Sequence, residues 1–201
     1  MAQQNQKSEA VTLRLNSYSI SFEPIDNMVS DELRKKLDES RISVNLLEQR
    51  PDLLIKPLEE LYEQYPHEPS LLNNLAFAYQ GIGDSRTAIT LFKKLKTSFP
   101  DYLFAKISKA LTELSYNRYE EIPAIFNNCF DLKDLYPERD IFHVGEVMAF
   151  FHVMGIYFCR IGDARTARVY YNGMKRLAEK NDRRPMDVMK EILAVENKTK
   201  R

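Results

Sequence analysis

Glycine is scarce in this chain of 201 residues, with six; tryptophan is missing, and cysteine occurs twice. So little glycine excludes collagen-like and glycine-rich low-complexity chains, and it leaves few places where a helix has to break. Two cysteines build no disulfide framework; Cys129 and Cys159 each lie in an apolar helical pattern, where a thiol behaves as a small buried hydrophobe. Net charge is missing as well. Lys plus Arg and Asp plus Glu balance at 29 each, which removes the broad attraction that non-specific nucleic-acid binding needs, so no nucleic-acid partner is expected. Long apolar runs are the last absence. The longest, Val147 to Cys159, is interrupted by His152 and too short to span a bilayer, and the opening MAQQNQKSEA has no apolar core for a signal peptide. The expectation is a cytoplasmic protein with no membrane insertion.

Catalytic signatures are absent too: no phosphate-binding glycine loop, no Cys-x-x-Cys pair and no nucleophile elbow. His143, Glu146 and His152 are the nearest thing to a site. On a helix His143 and Glu146 stand one turn apart and could share a metal, whereas His152 falls on roughly the opposite side. One pair makes no metal site, so the sequence predicts no catalytic residue, no metal and no cofactor. Late basic residues such as Lys175, Arg176, Arg183 and Arg184 are interspersed with Glu179, Asp182 and Asp187, as on a solvated helical face.

What is present is helical. Apolar residues make up 44% and charged residues 29%, a globular composition sized for one cooperative body. Residues 1–24 read as a flexible or extended arm, in which Val11 to Phe22 alternate loosely as a small hairpin or an extended segment would. After Pro24 the apolar spacing turns helical through Leu33, Leu37, Leu46 and Leu47, with Ser40 to Ser43 weakening the run. Further on the chain repeats itself. Ile82-Gly-Asp-Ser-Arg-Thr-Ala88 returns 79 residues later as Ile161-Gly-Asp-Ala-Arg-Thr-Ala167, with Phe92 matched by Tyr171 and Lys96 by Lys175.

These residues resemble the tetratricopeptide repeat, a helix-turn-helix unit of about 34 residues with a small residue at the turn and proline near its end. The best units are about 69–102 and 148–181. In the first, Leu72, Leu75, Ala76 and Tyr79 face Ala88, Phe92 and Leu95 across Gly83-Asp84; in the second, Phe151, Met154, Gly155 and Phe158 face Ala167, Tyr171 and Met174 across Gly162-Asp163. Weaker units cover about 35–68 and 103–134, the latter with Ile122 in place of the usual alanine and a second helix carrying Phe126 and Cys129. The turns at Asn117 and Gly162 are more than one repeat apart, which makes 131–146 an insertion, and Pro137 followed by Glu138 and Asp140 reads as the start of one long helix to Arg160. The resemblance implies an all-α fold: a short right-handed superhelical solenoid of antiparallel helix pairs over 25–198 as one domain, with a short extended N-terminal arm and a capping helix at about 185–195.

The resemblance also implies a function. First helices in this family line a concave groove that receives a peptide or a partner helix, which places the groove at Asn73, Asn74, Phe77 and Gln80, then Phe104, Ile107, Ser108 and Leu111, then His152, Ile156 and Arg160. Another protein, offering a peptide or an amphipathic helix, is the expected partner of a non-enzymatic interaction module. The same apolar residues would equally serve as core, the Val11 to Phe22 arm could fill the groove itself, and a homodimer, a self-assembling structural repeat and a secretion-chaperone-like holder of an apolar segment are the alternatives. The family's clamp for an acidic chaperone C-terminus is not expected: Asn74 fits one of its positions, but Glu39, Ser43, Phe104 and Ser108 stand at the others.

Overall fold

The computed structural model describes residues 13–15, 18–22, 31–39 and 44–199; the first ten residues and Ser43 lie outside that set. The described chain is helical apart from one small sheet, as the all-α expectation required. None of its described helices is long and apolar enough to cross a membrane. It forms two compact units, one from the described residues of Asp26–Ser115 and the other from those of Met1–Ile25 together with Tyr116–Arg201.

In the Asp26–Ser115 unit, α1 (Asp31–Glu39) and α2 (Val44–Gln49) lead through a 3-10 turn at Pro51–Leu53 into α3 (Ile55–Gln64), α4 (Pro69–Gly81), α5 (Ser85–Ser98) and α6 (Leu103–Ser115). From α3 onward each helix packs against the next. Leu33, Leu54, Leu58, Leu61, Leu71 and Leu75 form one buried cluster, and Leu72, Leu95 and Ala105 form another. Removing each such leucine from water stabilises the unit by about 2 kcal/mol. The turn between α4 and α5 follows from its residues. Gly83 takes a φ of 85°, which costs a residue without Cβ little, and Asp84 then caps α5 by accepting from Thr87 N–H at 3.0 Å and from Thr87 Oγ1 at 2.7 Å.

The second unit opens with β1 (Leu13–Leu15) and β2 (Tyr18–Ser21), an antiparallel hairpin. After a 3-10 turn at Tyr119–Glu121 come α7 (Ile122–Ile125), α8 (Leu132–Leu135), β3 (Ile141–His143), α9 (Val144–Arg160), α10 (Ala164–Leu177) and α11 (Arg184–Thr199). The α9–α10 turn duplicates the α4–α5 turn: Gly162 has φ 84°, and Asp163 accepts from Thr166 N–H at 2.9 Å and Thr166 Oγ1 at 2.6 Å. Aromatic rings fill the space between α9 and α10, with Phe158 stacked on Tyr170 and Phe151 meeting Tyr170 edge-on.

Two expectations are corrected here. The second helix of the middle unit does not run on to Cys129; it ends at Ile125, because Asn127 and Asn128 both take left-handed φ values (54° and 60°) and Asn128 N–H closes back on the Pro123 carbonyl at 2.7 Å. Nor does one helix run from Glu138 to Arg160. Residues 141–143 are extended, because β3 pairs in parallel with β2, and α9 starts only at Val144. The Val11 to Phe22 alternation is thus a hairpin that belongs to a sheet, not a loose arm, at its described residues.

Candidate functional site

On α4, Asn73, Phe77 and Gln80 recur at helical spacing along one face, with Asn74 beside them. Phe77 is 43% exposed, and its ring meets Phe92 of α5 edge-on at 5.3 Å, so one side of the ring is packed and the other is open. Gln80 is exposed and Asn74 half-buried. Asn73 is 6% exposed, and among the described residues the fully buried side-chain atom on this helix that lacks a hydrogen-bond partner is Ser70 Oγ, not the Asn73 amide.

On α6, Phe104, Ile107, Ser108 and Leu111 share a face by the same spacing. Their environments differ. Ile107 is buried at 6%, Leu111 is 38% exposed, and half-buried Phe104 leans on Tyr102 with ring centroids 5.7 Å apart. Beside them Lys106 runs its stem through the interior and brings its Nζ to 3.2 Å from Asp101. Both α4 and α6 pack on α5.

His152, Ile156 and Arg160 lie one turn apart on α9 in the other unit, and α11 runs beside them. Arg160 pairs with Glu191 of α11 at 3.0 Å, and Arg168 of α10 pairs with Glu196. His152 is half-buried, its Nε2 has no partner among the described residues, and burial holds its imidazole below the ordinary 6.5; Asp187 and Asp182 pull the other way and Arg184 adds to the lowering. These three residues stand at the seam that α11 covers, so α11, expected only as an end cap, also occupies part of the face assigned to a partner.

His143 and Glu146 are brought together, but as a cap. Glu146 accepts the His143 N–H at 3.0 Å, and His143 Nδ1 accepts the Gly145 N–H at 3.1 Å, the reciprocal arrangement that satisfies a helix start. Arg139 then takes both Glu146 oxygens, at 3.0 and 2.7 Å. Among the described residues no three His, Cys, Asp or Glu side chains gather as metal ligands would. Sequence reasoning missed Arg139, although an Arg seven positions before an acidic residue at a helix start was there to be read. It also missed the pairing of Tyr18, Ile20 and Phe142.

No family model matches the chain, and no curated protein matches it. Among solved structures it is similar to one described as "MamA RS-1 ArsTM double mutant", at 13% identity and a TM-score of 0.42, over 85% of this chain and 97% of that one. A likeness of that size assigns no function.

Proposed function

We propose that this protein is a non-enzymatic protein-protein interaction module, and that the α4 face of Asn73, Asn74, Phe77 and Gln80 is the centre of its binding surface. The observation that carries this reading is a half-open aromatic ring, Phe77, with the half-buried Asn74 and the exposed Gln80 within one turn of it on the same helix. An apolar anchor flanked by free amides suits an amphipathic helix or an extended segment: the ring buries an apolar side chain while Asn73, Asn74 and Gln80 bond to its backbone. Phe104, Ser108 and Leu111 of α6 extend the surface where they are accessible, while Ile107 supports it from the interior. His152, Ile156 and Arg160 belong to the other unit, beside α11, and are left out of this surface.

Affinity capture from lysate with the full chain tests this, comparing wild type with Phe77→Asp and Asn73→Ala. A partner held by wild type and released by both variants, at unchanged helical circular dichroism, supports the reading. A partner held equally by all three overturns the assignment of the α4 face.

A further inference from the structure

The repeated helix pairs distribute their charge unevenly. α4 carries no charged residue, whereas α5 carries Arg86, Lys93, Lys94 and Lys96 and no Asp or Glu. α10, which follows the second copy of the Gly-Asp turn, has the same character, with Arg165, Arg168, Lys175 and Arg176 and no acid. In a chain whose 29 basic and 29 acidic residues balance, two helices of one sign are a segregation of charge. The two helices differ in how that charge is met. On α10, Arg168 is paired with Glu196 of α11. On α5 no such partner arrives: among the described residues Lys93 and Lys96 have no ion pair or side-chain hydrogen bond, and Lys94 lies over the Tyr62 ring at 4.8 Å. Arg86 neighbours Asp84, whose carboxylate already accepts from Thr87.

Helical spacing puts Arg86, Ile89, Lys93 and Lys96 along one side of α5, away from the buried Ala88 and Leu95. Arg86 and Lys93 are exposed, Lys96 is half-buried, and Ile89 stands 54% exposed among them. The strip is about 15 Å long by the rise of a helix.

We propose that this side of α5 is an interaction surface separate from the α4 face, and that its occupant is an acidic segment of another protein, with carboxylates one helical turn apart and an apolar residue between them. Charge complementarity selects that occupant. Cations a turn apart with no counter-charge of their own attract carboxylates at the same spacing, and Ile89 supplies one apolar contact in the middle. One exposed isoleucine is too little to seat a helix in a bilayer, which takes a broad apolar face. A nucleic acid needs a wider basic surface than one helix of a neutral chain offers. Exposed ion pairs are individually weak and screened by salt, so this surface guides encounter more than it holds.

Fluorescence anisotropy with the full chain tests this, using a labelled synthetic peptide of about 15 residues that carries glutamates at helical spacing around one leucine. Wild type should bind the peptide at low salt and release it as salt rises. Lys93→Glu/Lys96→Glu, with unchanged helical circular dichroism, should bind about tenfold or more weaker. Lys93→Gln/Lys96→Gln, which adds no repulsion, should fall between them and keeps the comparison readable if the charge reversal unfolds the chain. Lys175→Glu/Arg176→Glu makes the same change of net charge on α10 and should bind as wild type does. Equal weakening by the α5 and α10 reversals would mean that net charge alone attracts the peptide, and overturns the site; so does undiminished binding by both α5 variants. Phosphatidylserine vesicles and a single-stranded oligonucleotide serve as competing probes. Tighter binding of either, lost in the α5 variants, overturns an acidic protein segment as the occupant. Self-association of wild type at low salt that the same variants abolish would make a second copy the occupant and overturns a different protein.

Discussion

A Cβ built on Gly155 would stand 2.8 Å from Cγ1 and 3.0 Å from Cγ2 of Val188, so α11 rests directly on the α9 backbone at that point. The matching residue of the earlier copy is Ala76, fully buried, so a methyl group is accommodated there and the tight approach at Gly155 comes from Val188. Gly155→Ala is therefore expected to destabilise the protein by about 1–3 kcal/mol through overpacking. Val188→Ala in the same chain should restore part of that loss. Urea unfolding of both single variants and the double variant checks the coupling; a fully additive cycle would mean that α11 does not dock on Gly155.

Glu146 is 1% exposed and accepts three bonds: two from Arg139 and one from the His143 N–H. The Arg139 guanidinium also lies 4.3 Å from the centre of the Phe142 ring, so the ion pair joins the helix start to the sheet. Removing one partner of a buried pair strands the other, at a cost of about 3–5 kcal/mol. Arg139 retains some contact with water, its side chain being 24% exposed, which places Glu146→Ala at the lower end of that range. Glu146→Gln, which keeps an acceptor for His143 N–H, should lose less. Equal losses in thermal unfolding would mean that the cap bond contributes nothing.

What was legible in the sequence was local. Pro69, Gly83-Asp84, Gly162-Asp163 and the apolar spacing between them each act within a turn or two, and the helix pairs α4–α5 and α9–α10 stand where those signals put them. What was hidden has its cause far along the chain. Ile141 to His143 are extended only because Ser19 to Ser21 lie beside them, and Arg160 is engaged only because Glu191 arrives 31 residues later. The early end of α7 lies between these cases. Asn127-Asn128 is a turn signal, but it was outweighed by the repeat pattern that ran through it.

Asp163 caps α10 by accepting from the Thr166 hydroxyl and N–H, and these bonds hold its carboxyl below the ordinary 3.8. Asp163→Ala should cost about 1 kcal/mol and Asp163→Asn much less, since both Asp and Asn serve as caps. Because the folded value is the lower one, the charge contributes its stability in full above the unfolded value and loses it as pH falls through the folded value. Unfolding measured toward acid pH should therefore weaken wild type more than Asp163→Asn.

The His152 imidazole is shifted the same way for a different reason, since burial disfavours its charged form. Below the ordinary value of 6.5 the unfolded chain takes up a proton that the folded chain refuses, so stability falls as pH drops from 6.5 toward the lower folded value. His152→Phe removes that proton uptake. Thermal unfolding between neutral and mildly acid pH should show a steeper decline for wild type than for the variant, and parallel declines would mean that His152 is accessible to water when folded.

Two of the apolar residues first assigned to the partner surface separate once their burial is known. Phe77 is 43% exposed and Ile107 only 6%. Phe77→Asp gives up one face of a ring and its contact with Phe92, about 1–2 kcal/mol in all, which a folded domain tolerates. Ile107→Asp would place a carboxylate in the interior with no partner, at a cost comparable to the whole stability of the unit. The first variant should keep its helical circular dichroism and lose the partner. The second should lose both, so its failure to bind would say nothing about a surface. Leu111→Asp, one turn further along α6 at 38% exposure, is the informative substitution there: a folded variant that no longer captures the partner extends the surface onto α6, and one that captures it normally confines the surface to α4.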